Sequence, residues 1–226
     1  IIGRNYQGIS VGDLTIENGG LLTHEYNTTC SNNENHNNDR DACKVGGGVY
    51  DSTHIYELDF KVNNLYLELG GTIDASAKGF DGGDTKAHGY GPGKGFTPQI
   101  STKKRGGGGA GNGGAGADAA SAPPNGGVGG SLVNGNLCDV NSPDELGSGG
   151  GGSTIATNDK GGGGAGGGLI ILESNNVISL YGTFNVAGQN GFKRYADGGG
   201  GGGGAGGGIR LKADSLTGDS IIQADG

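Results

Sequence analysis

The chain has 226 residues, 57 of them glycine, and a formal net charge of −8 at pH 7. Glycine is a poor helix former, so this composition excludes helical bundles and coiled coils, and the lack of a strict Gly-X-Y period excludes collagen. The acidic charge argues against nucleic acid as a partner, because phosphate binding needs clustered Lys and Arg. The longest aliphatic run, Leu169-Ile170-Ile171-Leu172, is too short for membrane insertion.

Residues 1–78 are predicted to form N-terminal β-solenoid units of short strands. The chain contains no Met, so Ile1 is not an initiator, and we expect a processed chain or an internal piece of a longer one. A weakly patterned unit spans residues 9–22, and a clearer one spans residues 46–75. In both units apolar residues alternate with polar ones, which is the period that half-buried strands require.

A very polar segment within this region carries an N-glycosylation sequence, Asn27-Thr28-Thr29, and two cysteines. We expect Asn27 to carry a glycan, and Cys30 and Cys43 to form a disulfide that closes the polar loop between them. Both features are typical of an extracellular, secreted or cell-surface protein. Cys138 is then left over, either as a free thiol or as an intermolecular bridge.

Residues 79–168 are dominated by glycine runs. Because nothing projects from glycine, such runs can pack side by side as left-handed polyglycine II helices with three residues per turn, whose N–H and C=O groups bond to neighbouring chains. The alternative is a flexible linker, since glycine is costly to order. The alanines within the runs are expected at the rim of the packing, namely Ala110, Ala115, Ala165 and Ala205. The predicted polyglycine core consists of Gly108, Gly111, Gly163, Gly164, Gly203 and Gly204.

Residues 169–226 are predicted to form C-terminal β-solenoid units, because an internal repeat precedes and continues into them. The octet Gly-Gly-Gly-Gly-Ala-Gly-Gly-Gly occurs at 161–168 and again at 201–208, an offset of 40 residues. Units of this kind cannot bury their apolar faces alone and must stack. The predicted fold class is therefore all-β, with short-strand β-solenoid or β-helix-like units, a packed bundle of polyglycine II helices and essentially no α-helix. The apolar strand residues after each octet are Leu169 and Ile171 in the first copy, and Ile209 and Leu211 in the second.

The sequence offers no arrangement typical of catalysis or of cofactor binding. The stretch from Gly89 to Gly95 lacks the hydroxyl that follows the Lys of a phosphate-binding loop, so a turn is predicted there. Ca²⁺ is the one ion for which oxygen ligands are at hand, although their spacing is not that of an EF-hand. Those candidate ligands are Glu34, Asp39 and Asp41, and Asp81 with Asp84. The acids on predicted strands, Glu57, Asp59, Glu68 and Glu173, are dispersed, and we expect no enzyme.

The stretch from Ser142 to Gly152, Ser-Pro-Asp-Glu-Leu-Gly-Ser-Gly-Gly-Gly-Gly, is followed by Gly-Gly-Ala-Gly-Gly-Gly, an aliphatic strand, Gly-Thr-Phe-Asn-Val-Ala-Gly and another glycine octet. This order resembles the glycine-rich, parallel β-helix-like repeat domains of large extracellular and cell-surface structural or adhesin proteins. The resemblance covers about residues 65 to 226. The turn Gly71-Thr72-Ile73-Asp74-Ala75 fits it well, whereas Asn185-Val186 and Asp219-Ser220 depart from it. The resemblance implies a surface or matrix role and supplies no catalytic residues.

Three functions stay open on the sequence. The favoured one is a structural subunit of an extracellular filament, hair or surface coat, whose partners are copies of itself or further subunits of the same assembly. An open strand unit at 220–226 favours head-to-tail contacts for this function. The second is a cell-surface adhesin that binds carbohydrate or another surface, and the third is a β-helical polysaccharide lyase or hydrolase. The aromatic residues predicted for adhesion are Tyr90, Phe96, Phe192 and Tyr195.

Overall fold

The computed structural model describes residues 9–24, 44–45, 49–50, 57–98, 105–113, 115–119, 130, 146–154, 161–193 and 199–226. Across these residues the chain is all-β, with parallel sheets and no helix, as predicted. The strands are β1 (Ile9–Ser10), β2 (Asp13–Ile16), β3 (Leu21–Thr23), β4 (Lys44–Val45), β5 (Val49–Tyr50), β6 (Leu58–Leu67), β7 (Thr72–Asp74), β8 (Leu169–Leu180), β9 (Thr183–Asn185), β10 (Gly208–Lys212), β11 (Ser215–Gly218) and β12 (Ile221–Gln223).

Two parallel sheets arrange the chain in four levels. In the first sheet, β1 and β2 pair with β6, β6 pairs with β8, and β8 pairs with β10 and β11. In the second sheet the order is β3, β7, β9, β12. The levels therefore follow the same order in both sheets: level 1 comprises β1 to β3, level 2 β6 and β7, level 3 β8 and β9, and level 4 β10 to β12. The strands β4 and β5 form a separate antiparallel pair.

Residues at matching positions of successive levels lie directly above one another, and we refer to each such set of residues as a column. Successive residues of a strand point to opposite faces, so all members of a column point to the same side. The inward-pointing members in levels 2 and 3, together with Ile16 of level 1, form the buried core, which holds the levels together through apolar contact. One inward column contains Leu14, Leu65, Ile178 and Leu216, and another contains Leu22, Ile73, Phe184 and Ile222.

The glycine octets do not set the register between levels 3 and 4. The offset of 40 residues would bring Ile209 beside Leu169, but Ile209 pairs with Ile170, and the same one-residue shift applies to the rest of β10. A glycine run has no side chain that marks a position, so the octets do not have to lie in register. Ile170 is fully buried within the core, so the apolar column determines the pairing.

Leu169 and Ile171 lie on the other face of β8, in a second buried cluster with Phe80 and Leu146. Because β8 is buried on both faces at this point, it carries a continuous apolar run instead of an alternating one. Partly buried Tyr90 packs against the same cluster. The cluster connects the sheets to the glycine-rich segments.

The glycine-rich segments lie side by side around residues 146–154. We refer to the packed set (residues 79–90, 105–111, 146–154, 161–168, 186–193 and 199–207) as the glycine layer. Its backbone N–H groups donate to carbonyl oxygens of neighbouring segments, and bonds to the same neighbour recur at every third residue. For the central segment the donors and acceptors are Gly147 to Gly167, Gly150 to Gly164 and Ser153 to Gly161 with one neighbour, Gly149 to Tyr90 and Gly152 to Ala87 with a second, and Gly151 to Gly108 and Thr154 to Arg105 with a third.

Close approach of backbones requires glycine in this layer. A Cβ atom added to Gly163 would lie 1.9 Å from the carbonyl oxygen of Gly150. None of the glycines in these described segments has a positive φ, so backbone conformation does not demand glycine there. An added Cβ at Gly162, in contrast, would come no closer than 3.7 Å to any other atom. Gly162, and likewise Gly200 and Gly203, therefore have room for a side chain.

The alanines of the layer differ in burial. Ala165 follows Gly162 by three residues and is partly exposed, in accordance with the predicted rim position. Ala205 is buried, so the prediction was wrong for this residue. The reason is that the segment at 224–226 crosses over it, and an added Cβ at Gly226 would lie 3.0 Å from the Cα atom of Ala205.

Candidate assembly surface

Level 4 exposes side chains of the type that are buried in levels 2 and 3. Ile178 is fully buried, whereas Leu216 in the same column of level 4 has 59% of its surface exposed. Phe184 is likewise fully buried, and Ile222 beside it in level 4 has 56% exposed. These side chains differ chiefly in whether a further level covers them. Level 4 thus presents an apolar surface of the kind that joins the levels internally.

The backbone of β12 offers hydrogen-bonding groups at the same edge. The N–H of Ile221 donates to the carbonyl of Gly182, and the carbonyl of Gln223 accepts from the N–H of Val186. In a parallel ladder alternate residues bond to the same neighbour, so the N–H and C=O of Ile222 point away from β9. A strand edge of this kind is a template for the addition of another strand.

Level 1 forms the opposite edge of both sheets. Leu14 and Leu22, which belong to the two inward columns, are partly buried. The carbonyl of Gly20 accepts from the N–H of Thr72, so the backbone groups of Leu21 point away from β7. Both ends of the stack therefore combine a strand edge with apolar columns.

Charged side chains connect levels on the outer face of the first sheet. The carboxylate of Glu173 in level 3 lies 3.7 Å from the amine of Lys61 in level 2 and 3.7 Å from the guanidinium of Arg210 in level 4. Burial raises the pKa of the Glu57 carboxyl, and the charge of Asp59 raises it further, while Arg210 opposes the rise. Ion pairs of this exposure add little stability, but they favour one alignment of the levels.

Several predicted residues lie outside the residues that the structure describes. These are Asn27 with its glycan, Cys30 and Cys43 with their disulfide, the leftover Cys138, the acids Glu34, Asp39 and Asp41, and the aromatic Tyr195. Their roles stay predictions.

The residues predicted as the polyglycine core all lie in described segments. Gly203 is partly exposed, and an added Cβ there would come no closer than 3.8 Å to another atom. At Gly164 and Gly204 the corresponding distances to a backbone oxygen are 1.8 Å and 2.0 Å. The buried members of the set are Gly108, Gly111, Gly163, Gly164 and Gly204.

The remaining aromatic residues predicted for adhesion have different surroundings. Phe192 is exposed, while Tyr90 packs against the second buried cluster. Phe96 makes an edge contact with His88, with ring centroids 5.1 Å apart. Tyr90 and Phe96 thus contribute to packing of the loops that carry them. The stretch from Gly89 to Gly95 forms the predicted turn at residues 92 and 93.

Asp81 and Asp84, the other predicted Ca²⁺ ligands, lie in the part of the glycine layer that precedes the turn. Burial, with a further contribution from the charge of Asp84, raises the pKa of Asp81 to about 6. The Oδ2 atom of Asp81 is buried and has no hydrogen-bond partner among the described residues. Nowhere in the described part of the chain do three His, Cys, Asp or Glu side chains gather as metal ligands. Two carboxylates alone fall short of the six or more oxygens that Ca²⁺ takes.

The sequence did not predict that the side chain of Lys78 is buried. Its amine donates to the hydroxyl of Thr23 and to the carbonyl of His24, which are 55 and 54 residues away in the chain. Burial lowers the pKa of this amine. The contact fastens level 1 to the segment after β7. No local pattern marks it, because the partners come from a different level.

No protein-family model, curated protein or solved structure matches the chain. Within the described ranges there is no helix that is long and apolar enough to cross a membrane. The functional argument therefore depends on the two edges of the stack and on the glycine layer.

Proposed function

We propose that the chain is a structural subunit of an extracellular filament, hair or surface coat, and that it assembles by the addition of further levels to its stack. The observation that carries this proposal is the exposure of Leu216 and Ile222, whose column neighbours Ile178 and Phe184 are fully buried. The exposed surface of level 4 has the same apolar side chains that join the levels inside the chain. It is therefore suited to contact a further level in the same way.

The strand arrangement supports a β-solenoid as the architecture of this subunit. Each level contributes strand to the first sheet, then turns and contributes a short strand to the second sheet. In a solenoid each repeat contacts only its neighbours above and below, so the length of the stack is not limited by its own geometry. Such a fold is suited to a mechanical role.

We infer that the glycine layer is a bundle of polyglycine II helices that stiffens one side of the solenoid. Three features support this inference: the recurrence of hydrogen bonds at every third residue, the lack of positive φ among the glycines of these segments, and the room for a side chain at Gly162 and, three residues later, at Ala165. A left-handed helix with three residues per turn has all three. Because neighbouring chains satisfy the backbone groups, the layer resists bending without a side-chain core.

The extracellular location is proposed from features of the sequence alone. The glycan expected on Asn27 and the disulfide expected between Cys30 and Cys43 are modifications that chains acquire on a secretory route. Intact-mass measurement before and after treatment with a glycosidase, and then with a reductant, tests both.

Sedimentation velocity of the intact chain tests the structural function. We expect association that increases with concentration, and we expect the double variant Leu216→Lys, Ile222→Lys to stay monomeric, because it places two charges on the exposed apolar surface of level 4. The matched control is Leu69→Lys, at a turn residue with 78% of its surface exposed, which should associate like the wild type. A wild-type chain that is monomeric at every concentration would contradict the proposal.

A further inference from the structure

We propose that Tyr66 and Tyr181 form a site of oxidative cross-linking, at which a one-electron oxidant, a haem peroxidase with hydrogen peroxide, joins the two rings as dityrosine. Tyr66 lies on β6 in level 2, and Tyr181 directly follows β8 in level 3. The bond ties together the two levels that contain most of the buried core. Its formation is a property of these two levels, whereas its use in hardening an extracellular structure rests on the proposed function.

Both tyrosine side chains point to the outer face of the first sheet. Tyr66 lies between two buried leucines, and Tyr181 lies between Leu180 and Gly182, which are also buried. Successive residues of an extended chain point to opposite faces, so the two rings project outward on the same side. Tyr66 has 39% of its surface exposed and Tyr181 has 49%. Both phenols are therefore accessible to an oxidant in solution.

The register between levels 2 and 3 makes the two tyrosines diagonal neighbours. Tyr66 pairs with Ser179, so Tyr181 lies two residues further along the adjacent level. The pairing continues past β8, because the N–H of Tyr181 donates to the carbonyl of Leu67 at 2.7 Å. Strand spacing and rise together place such diagonal positions about 8 Å apart, a separation that aromatic side chains can span. The small side chain of Ser179 leaves room for the Tyr66 ring to lean towards level 3.

The composition of the chain directs oxidation to tyrosine. The chain contains no Trp and no Met, so the easily oxidised side chains besides tyrosine are its three cysteines. Tyr90, in contrast to the proposed pair, is partly buried and packs against the second buried cluster. Tyr66 and Tyr181 are thus the accessible phenols among the tyrosines whose burial the structure describes.

The coupling removes one electron and one proton from each phenol. Glu68 and Asp219 are exposed and lie on either side of Tyr181 in its outward column, where their carboxylates can take up the proton. The two tyrosyl radicals then join through the ring carbons next to the hydroxyl-bearing carbons. The hydrogens on these ring carbons move to the oxygens, which restores both phenols. Hydrogen peroxide accepts the two electrons and two protons and becomes two water molecules.

The cross-link closes a long loop, since the two tyrosines are about 115 residues apart in the chain. A covalent closure of this length restricts the unfolded chain in the way that a disulfide does. The new bond joins two carbons, so thiol reductants do not cleave it. The product is a permanent tie between two levels that are otherwise held by apolar contact and hydrogen bonds.

Oxidation of the full chain at low concentration with a haem peroxidase and hydrogen peroxide tests the site. The monomer, isolated on a denaturing gel and digested, should yield a joined pair of peptides that contain residues 66 and 181, with a mass two hydrogens below their sum. Tyr66→Phe and Tyr181→Phe should each abolish this pair, and the matched control Tyr90→Phe should retain it. Absence of dityrosine, or dityrosine formed only by other tyrosines or only between chains, would overturn the inference.

A displaced tyrosine tests the geometry. In the combined variant Tyr181→Phe, Asp219→Tyr the phenol moves one level further from Tyr66, to a separation of about 12 Å, so the link to residue 66 should be at least several-fold weaker. An equal yield would mean that the register does not select the pair and would overturn the inference.

Urea unfolding tests the effect of the tie on the stack. The oxidised wild type should unfold at a urea midpoint about 1 M or more above that of identically oxidised Tyr181→Phe. Equal midpoints would overturn the inferred role of the link. Sedimentation separates these results from the proposed function: a chain that forms the link but never associates would contradict the structural subunit and leave the cross-linking site standing.

Discussion

In the sheets, the space between neighbouring chain segments is filled by side chains such as Phe184 and Ile73, both fully buried. In the glycine layer the same space is closed by backbone, and an added Cβ at Gly149 would lie 1.8 Å from the carbonyl oxygen of Asp81. A strand bonds to two neighbours, one on each side. The central segment of the glycine layer bonds to at least three neighbours. Its successive residues bond to different neighbours, and each neighbour is contacted again at every third residue.

This difference determines where each region tolerates change. A column in the sheets accepts another apolar side chain of similar volume, since its neighbours can repack. A tight position in the layer accepts no side chain, because the opposing atoms belong to backbone that is already hydrogen-bonded. The sheets are also the region whose edges leave apolar side chains exposed. Stability should therefore depend on both regions, whereas assembly should depend on the edges of the sheets.

The largest effect on folding is expected in the column that contains Phe184 and Ile222. Phe184→Ala removes a fully buried ring from level 3 and should lower the free energy of unfolding by about 3–5 kcal/mol. Ile222→Ala, at the exposed end of the same column, should change it by no more than about 0.5 kcal/mol in dilute solution. Urea unfolding followed by circular dichroism measures both. Equal losses for the two variants would contradict the assignment of buried and exposed levels.

A matched pair of glycine substitutions in one run distinguishes the packed layer from a linker. The added Cβ of Gly164→Ala would lie 1.8 Å from the carbonyl oxygen of Gln189, so overpacking should cost about 1–3 kcal/mol or more. Gly162→Ala has its nearest atom at 3.7 Å and should stabilise the chain by about 0.4–1 kcal/mol, because alanine lowers the entropy of the unfolded chain. The sign of the change in unfolding free energy thus differs between positions two residues apart. Identical effects would mean that the run is a flexible linker.

A smaller, pH-dependent effect is expected from Asp81. Burial first, and the charge of Asp84 second, raise the pKa of Asp81 from 3.8 to about 6, so the folded chain holds this proton more tightly than the unfolded chain. The resulting stabilisation is present below about pH 4 and is lost as the pH rises through about 6. Between these values the wild type should lose on the order of 2 kcal/mol more unfolding free energy than Asp81→Asn.

The control for this measurement is Asp219→Asn, which removes a carboxylate from an exposed connection between strands. Its pH profile should follow that of the wild type. If Asp81→Asn also followed the wild type between pH 4 and 6, the buried carboxyl would not be the source of the pH dependence.

The existence of the strands could be predicted from the sequence, but their exact neighbours could not. The apolar residues after each octet predict β8 and β10, and both strands are present, although β8 begins with a continuous apolar run instead of an alternating one. The register between them differs by one residue from the offset of the octets, because Gly208 pairs with Leu169. The octets contain nothing that distinguishes one glycine from the next. The same uniformity hides which glycine segments adjoin, because that choice depends on distant connections.

The candidate assembly surface could be predicted in part. The strand unit around Ile221 and Ile222 has the pattern of earlier units, so its place in the stack follows from the sequence repeat. Its counterpart at level 1, with Leu14 and Leu22, becomes evident only when the columns are known. The burial of Lys78 against Thr23 and His24 had no sequence signal, because amine and acceptors meet through the stacking of levels.

Electron microscopy of the concentrated wild-type chain tests the central claim most directly. Levels that stack about 4.8 Å apart predict filaments with an axial repeat of about 4.8 Å. This repeat should disappear together with the filaments in the double variant Leu216→Lys, Ile222→Lys. Particles that remain single chains at every concentration, or filaments without an axial repeat of about 4.8 Å, would contradict the account.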